Sequence, residues 1–275
     1  QSLRRLRLDP LLLIFVSCMA LGMLTGTLAG MLGIGGGLII VPVLSALLTG
    51  IAGISHELAM PMAIATSLFT IIVTGFFSAK AHYSLGNIVP RVIVLSGTGI
   101  AVGAIAGAQL ASMLPADILT KVFAGLVILI AAQMVFGKRT ASNKTYTPAI
   151  LVTAGAIVGT ISALMGIGGG ALLVPALVWF QVPIRQAIGC AAVSGLVIAL
   201  FGTGSFIHAG WNLPGLPDWS LGYVYLPAGF GIMATSIFTA GFGARLGQNM
   251  PTELLKKILA GLLVLVSIRM IIGMN

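Results

Sequence analysis

The stretch Thr25–Pro42 reads TGTLAGMLGIGGGLIIVP, and a near copy, VGTISALMGIGGGALLVP, occupies Val158–Pro175, 133 residues later. Both copies contain the run Gly-Ile-Gly-Gly-Gly between apolar residues, with a proline five positions after the last glycine. Glycine runs interrupt helices because glycine loses more conformational freedom on folding than other residues. The sequence therefore predicts a helix, a break and a second helix, twice in one chain.

A second pair of matching stretches follows in the same order. Gly107–Gly137 and Gly243–Gly273 share glycine, proline, lysine and methionine positions at a constant separation of 136 residues. Chance similarity between apolar helices does not produce an ordered set of such matches. We therefore predict a duplicated chain, with residues 1–137 as the first membrane repeat, 138–147 as a basic linker and 148–275 as the second repeat.

The composition indicates a membrane protein. Of the 275 residues 58% are hydrophobic and 7% are charged, whereas soluble domains carry about 25% charged residues. So few polar side chains could not cover the surface of a soluble protein. The net charge of +9 comes from basic residues at the ends of apolar segments. Such residues orient membrane helices and meet lipid head groups, so we expect membrane lipid and no nucleic acid among the partners.

Ten apolar segments follow one another along the chain, five in each half. They lie at residues 11–32, 37–49, 58–79, 91–112 and 118–136, then 148–165, 170–180, 187–208, 222–246 and 254–273. The second segment of each half is too short to cross about 30 Å of hydrocarbon at 1.5 Å per residue. We predict an all-α integral membrane protein of two homologous halves, each with four spans and a Gly-rich half-helix, hence eight full spans and two half-helices.

Two arrangements of the halves fit the basic residues equally well. If the half-helices re-enter and exit on one side and the N-terminus is inside, nine of the 14 Lys and Arg residues lie inside and the halves are parallel. If the half-helices cross and the N-terminus is outside, nine of 14 again lie inside and the halves are inverted. The cytoplasmic excess of Lys and Arg therefore does not separate the two arrangements, and both occur in transporters.

The glycine turns are candidates for an anion site. Glycine permits positive φ, so consecutive backbone N–H groups can point into one concavity. The half-helix that follows adds free N–H donors and the positive end of its dipole, which together bind anions without a charged side chain. A hinge or a close helix contact is the alternative role for these glycines. The candidate substrate-binding glycines are Gly33, Gly35, Gly36, Gly37, Gly166, Gly168, Gly169 and Gly170.

Polar side chains near the turns could complete the site. Thr66 and Ser67 lie in the middle of one apolar segment, and Ser194 lies in the matching segment of the second half. In membrane helices such hydroxyls more often bond to a backbone carbonyl or to a neighbouring helix. His82 and His208 each end an apolar run. At a pore mouth a protonated histidine could attract anions and sense pH, and a solvated interfacial histidine is the alternative.

The residues that are missing limit the chemistry. The five acidic residues lie in loops or at segment ends, so no carboxylate is placed for a proton relay in mid-membrane. Cys18 and Cys190 lie in apolar segments without metal-ligand spacing. No nucleophile, metal cluster or acid–base pair has a usable spacing. We therefore expect neither an enzyme nor a metal or cofactor site.

The paired glycine motifs resemble those of the TauE/SafE sulfite exporter family, which includes 4-toluene sulfonate uptake permease-like transporters. Further matching residues are Ala63–Leu68, His82-Tyr83 and Gly86-Asn87. The resemblance covers nearly the whole chain. It implies a duplicated, multi-pass protein of the bacterial inner membrane that transports sulfite, sulfonates or related sulfur oxyanions.

These observations favour a secondary transporter in which the two glycine turns hold a small anion while the surrounding helices move to alternate access. Two other functions remain open at this stage. An anion channel would use the same donors without alternating access, and a membrane sensor or scaffold would transport nothing. The expected partners are a sulfur oxyanion or sulfonate as substrate, membrane lipid and, as an assembly to test, a second copy in a homodimer.

Overall fold

In this computed structural model, residues 10–32, 36–136, 147–248, 261 and 264 are described. These residues are almost entirely helical, as predicted. A two-stranded antiparallel ribbon pairs Ser220 with Tyr225 and Leu221 with Val224. The elements are α1 (Pro10–Leu32), α2 (Gly37–Gly50), α3 (His56–Ser84), α4 (Pro90–Met113), α5 (Ala116–Phe136), α6 (Pro148–Met165), α7 (Gly170–Trp179), α8 (Ile184–Ala209), β1 (Ser220–Leu221), β2 (Val224–Tyr225) and α9 (Leu226–Gln248).

Within the described ranges, six helices are long and apolar enough to cross a membrane: α1, α3, α4, α5, α6 and α8. Two short apolar helices, α2 and α7, lie where the sequence predicts the half-helices. A left-handed glycine, Gly166 at φ 68°, ends α6, and a second one, Gly169 at φ 66°, precedes α7. Most of the predicted linker 138–147 and of the last apolar segment 254–273 lies outside the described residues.

Helices from the two predicted halves pack against each other through faces that carry glycine. On α1, Gly22 and Gly26 let the helix touch Ile232 and Ser236 of α9, because a β-carbon on either glycine would collide with the α9 backbone. Later residues of α1 meet later residues of α9, so these two helices run parallel. In the same way α4 packs in parallel against α6, where a β-carbon on Gly103 would collide with the Ala156 carbonyl oxygen. Small residues allow this close approach of membrane helices.

Helix directions show how the chain passes the short helices. α4 also runs parallel to α8: Cys190 near the start of α8 contacts the Val89 carbonyl, and Ser205 near its end contacts Ile105 and Gln109. Since α6 and α8 are both parallel to α4, the chain must return between them, and it does so through Gly166–Gly169 and α7. In the first half α1 and α3 both run parallel to α9, so α2 returns the chain in the same way. Within the described residues, α1 and α6 therefore begin on opposite faces of the bundle.

The centre of the molecule is the antiparallel pair α3 and α8. Leu68 of α3 lies against Gly202 of α8, and further along Gly75 lies beside Leu196. Every residue from Ala59 to Leu68 is buried. The short helices α2 and α7 lie between this central pair and the outer helices. The N-termini of α2 and α7 face each other there.

Candidate functional site

The two glycine turns meet in the middle of the molecule. Gly37, the first residue of α2, touches the Gly166 carbonyl so closely that a β-carbon there would collide with the oxygen. The hydroxyl of Ser67 donates a hydrogen bond of 2.8 Å to the same carbonyl. A β-carbon on Gly166 itself would lie 2.9 Å from Val41 and 3.1 Å from Ile64. Only glycine fits this junction, which joins the breaks of both halves.

A cavity of about 510 Å³ leads from the turns to one face of the bundle. It lies between the second part of α3 and the first part of α8, and α1, α2, α7 and α9 complete its wall. Gly36, Gly168 and Gly170 lie at its inner end, and His82 lies at its mouth. Three of the eight predicted glycines therefore face one common space, within the size range of small-molecule pockets.

The first turn of α2 begins at the inner end of the cavity. The first helical hydrogen bonds of α2 run from the N–H groups of Ile39 and Ile40 to the Gly36 carbonyl, both at 3.0 Å. The N–H groups of Gly37 and Leu38 precede this bonding, as in the first turn of any helix. In α7 the Gly170 N–H is already bonded to the Gly168 carbonyl at 2.7 Å. The start of α2, with Gly36 in the cavity wall, therefore places the positive end of its helix dipole beside the cavity.

Hydroxyl groups from three helices line the cavity: Thr25 of α1, Thr70, Thr74 and Ser78 of α3, and Ser236 of α9. The first three donate to carbonyls of their own helices. Ser236 is 3% exposed, and its Oγ has no hydrogen-bond partner in the described part of the chain. The sequence offered no signal for Ser236, because its neighbours on α9 give no indication of which face meets the cavity.

The cavity carries very little charge. Its lining residues all belong to the described part of the chain, and they include no Asp, Glu, Lys or Arg. The titratable side chain among them is His82, whose Nδ1 lies 3.5 Å from the Asn87 amide nitrogen. His208 lies in the last turn of α8, exposed and away from the cavity lining. The structure therefore places the two histidines differently, although the sequence paired them.

The three mid-segment hydroxyls serve the packing around the turns and are not part of the cavity wall. Thr66 accepts a 2.9 Å hydrogen bond from the backbone N–H of Tyr225, and Ser67 is bonded to Gly166. Ser194 is buried and has no partner within the residues that the structure covers. Gly169 is also buried and lies against Ile198. The remaining candidates, Gly33 and Gly35, lie outside the described residues.

The opposite end of the site is closed by the β-ribbon. Its residues Tyr223, Val224 and Tyr225 are buried, and the Tyr223 ring packs edge-on against Phe206 at 6.1 Å between centroids. Burial raises the pKa of the Tyr223 phenol, so this side chain stays neutral at physiological pH. Gly222 packs directly on the backbone of Ile207. Within the described residues the cavity thus extends toward the His82 face, and buried ribbon residues cover the opposite, sealed face.

Within the described ranges, no group of three or more His, Cys, Asp or Glu side chains is placed to hold a metal ion. Cys18 and Cys190 are free and buried. What the site offers is backbone N–H groups, hydroxyls and one histidine in an otherwise apolar cavity. Such groups can bind and orient a small polar molecule by hydrogen bonding.

Curated relatives resemble the chain over its whole length. A probable membrane transporter protein of Haemophilus influenzae is 41% identical over 92% of this chain and 96% of its own. The probable membrane transporter protein YunE of Bacillus subtilis is 26% identical over 94% of this chain and 97% of its own. A probable membrane transporter protein of Methanocaldococcus jannaschii is 28% identical over 94% and 93%, respectively. No solved structure matches the chain.

The family described as "Sulfite exporter TauE/SafE" has a sequence model that matches residues 18–270. The relatives are named as transporters and not as enzymes, and the six long apolar helices fit a multi-pass membrane protein. The resemblance seen in the paired glycine motifs is thus confirmed over almost the whole chain. The protein belongs to the TauE/SafE sulfite exporter family of membrane transporters.

Proposed function

We propose that the protein is a secondary transporter that moves a small anion, sulfite or an organosulfonate, across the bacterial inner membrane. The substrate is held by the glycine turns and the start of α2, and alternating access takes place around these two helix breaks. One observation carries the proposal: a cavity of about 510 Å³ between α3 and α8 ends at Gly36, where α2 begins.

The properties of the cavity support an anion as the cargo. Free backbone donors and the positive end of a helix dipole stabilise negative charge. A carboxylate near the site would repel an anion, and none lines the cavity. His82 at the mouth would add positive charge when protonated, which makes it our candidate for pH sensing, and His208 on the other face is a second candidate for gating. The name of the family adds sulfite as a substrate class.

The two-half organisation supports alternating access. Transporters with inverted repeats bind substrate near the midplane at broken helices, and they alternate by moving one group of helices against the other. In support, α1 and α6 begin on opposite faces of the bundle, the two glycine breaks meet at Gly37 and Gly166, and the cavity extends toward His82. We propose halves at 1–137 and 148–275, joined by the linker, with eight long helices as spans and α2 and α7 as half-helices. A homodimer is the proposed assembly, and the mass of the detergent-solubilised protein tests it.

Reconstitution into liposomes tests the proposal. Proteoliposomes are loaded with sulfite, a small organosulfonate, sulfate or chloride, and the flux of each is recorded beside protein-free liposomes. We expect saturable flux of a sulfur oxyanion or sulfonate, with counterflow of labelled substrate against its gradient. Saturable flux without counterflow would indicate a channel. Absence of flux for all four anions would contradict the substrate assignment and favour a sensor or scaffold.

A further inference from the structure

The two central helices, α3 and α8, are copies of each other at a separation of 127 residues. At this separation Ser67 matches Ser194, Ile71 matches Ile198, Gly75 matches Gly202 and Ser78 matches Ser205. Because α3 and α8 are antiparallel and belong to inverted halves, matching residues occupy related places on opposite sides of the glycine turns. The second part of α3 lines the open cavity, so the second part of α8 marks the place of an equivalent path on the sealed face.

One contact differs between these two places. On the sealed face Leu68 lies against Gly202, where a β-carbon would be only 2.8 Å from the Leu68 Cδ1 atom. The residue that matches Leu68 is Gly195, and it lies against the Gly168 carbonyl. Both of these glycines line the open cavity. The Leu68 side chain therefore fills the space on one face, whereas Gly195, which has no side chain, leaves the matching space open on the other.

The surrounding residues show the same difference. Leu68 is fully buried. Ser205 donates to the Ile105 carbonyl and accepts from the Gln109 amide, at 3.3 and 3.1 Å, so it is held against α4. Its match in the other half, Ser78, is exposed and lines the cavity. Side-chain packing on the sealed face thus replaces the water-accessible space of the open face.

We propose that Leu68 is the gate of the second access path, between the first part of α3 and the second part of α8. A narrow apolar constriction stops ions because neither water nor an anion is stabilised there. The Leu68 side chain provides such a constriction directly beside the glycine turns. The inference rests on the proposed function, because a gate on the sealed face has a purpose only if substrate leaves there.

Sided thiol labelling tests the gate independently of any substrate. Thr74→Cys, in a chain whose two native cysteines are replaced by Ala, places a reporter in the open cavity. A membrane-impermeant thiol reagent is applied to sealed vesicles from the His82 face or from the His208 face. We expect labelling from the His82 face only. Addition of Leu68→Ala is expected to give labelling from both faces, and continued one-sided labelling of folded Leu68→Ala would overturn the proposal.

Two further variants distinguish the loss of a gate from a general loss of packing. Leu119→Ala removes another fully buried leucine, and it should leave the labelling one-sided. Gly75→Leu places a leucine in the open cavity, where a β-carbon meets only Leu196 atoms at 3.5 and 3.6 Å. This variant should abolish labelling from the His82 face. If Leu68→Ala does not fold, undiminished labelling of Gly75→Leu overturns the proposal. If the variants show the predicted labelling but the protein transports none of the anions, the substrate assignment is wrong and the gate assignment is retained.

Discussion

Gly36 and Gly169 occupy matching positions in the two halves, but their surroundings differ. Gly36 has a φ of −73° and lines the cavity, so its place is open to other residues as far as the backbone is concerned. Gly169 has a φ of 66° and lies against Ile198. A substitution at Gly36 therefore tests substrate binding, and a substitution at Gly169 tests folding.

We predict that Gly36→Leu abolishes anion flux while the protein remains folded. The leucine would project from the inner end of the cavity beside Thr25 and Ile40, whose atoms lie 3.1 and 3.2 Å from the new β-carbon. Flux in proteoliposomes is the measurement. Gly204→Leu on α8 is the matched control, because nothing lies within 4 Å of that position. Wild-type flux by folded Gly36→Leu would remove this glycine from the site.

For Gly169→Ala we predict a loss of stability. A non-glycine residue in the left-handed region costs about 1–2 kcal/mol, and here the new β-carbon would also lie 2.6 Å from the Ile198 Cδ1 atom. Thermal unfolding in detergent should show a lower midpoint than the wild type, whereas Gly204→Ala should show little change. An unchanged midpoint for Gly169→Ala would mean that the turn adopts another backbone conformation.

At this scale the sequence predicts the backbone better than the side chains. The glycine runs identify the breaks because their effect is local. The roles of Thr66, Ser67 and Ser236 depend on which face of a helix meets which neighbour, and that is decided by packing between distant segments. The structure accordingly places Ser67 on a carbonyl and Ser236 at the cavity, a distinction that residue type alone does not make.

At the scale of elements, the tightest packing joins helices from different halves. α1 pairs with α9 and α4 pairs with α6, both through glycines that bring backbones into contact. Hydropathy predicts the helices themselves, including the two short ones, because each is a continuous apolar run. It does not predict the pairing, since a glycine face carries no information about the helix that will cover it.

A matched pair of glycines on α4 tests this packing. We predict that Gly103→Leu destabilises the protein by about 1–3 kcal/mol, the usual cost of overpacking, because Gly103 lies against the Ala156 backbone. Gly97→Leu on the same helix should be tolerated, since nothing lies within 4 Å of Gly97. Elution profile and unfolding midpoint in detergent are the measurements. Equal midpoints for the two variants would show that α4 and α6 pack less closely than described.

For the whole molecule, the directions of the described helices have a consequence for topology. Since α1 and α6 begin on opposite faces of the bundle, we predict that the N-terminus and the linker 138–147 lie on opposite sides of the membrane. A cysteine at Ser142 and an N-terminal tag, each probed in sealed vesicles of known orientation, provide the measurement. Parallel halves would place both probes on the same side. Charge counting left this question open because the basic residues divide equally well either way.

The pairing of α1 with α9 also has a consequence for the order in which helices pack during synthesis. The Thr235 hydroxyl on α9 donates to the Met19 carbonyl on α1, 216 positions earlier in the chain. At about 5–20 residues per second, a ribosome needs roughly 10–40 s to bridge that interval. During that interval the glycine face of α1 is not covered by α9. The partner of α4, α6, is synthesised much sooner after α4. The packing of α1 is therefore completed only after α9 has been made.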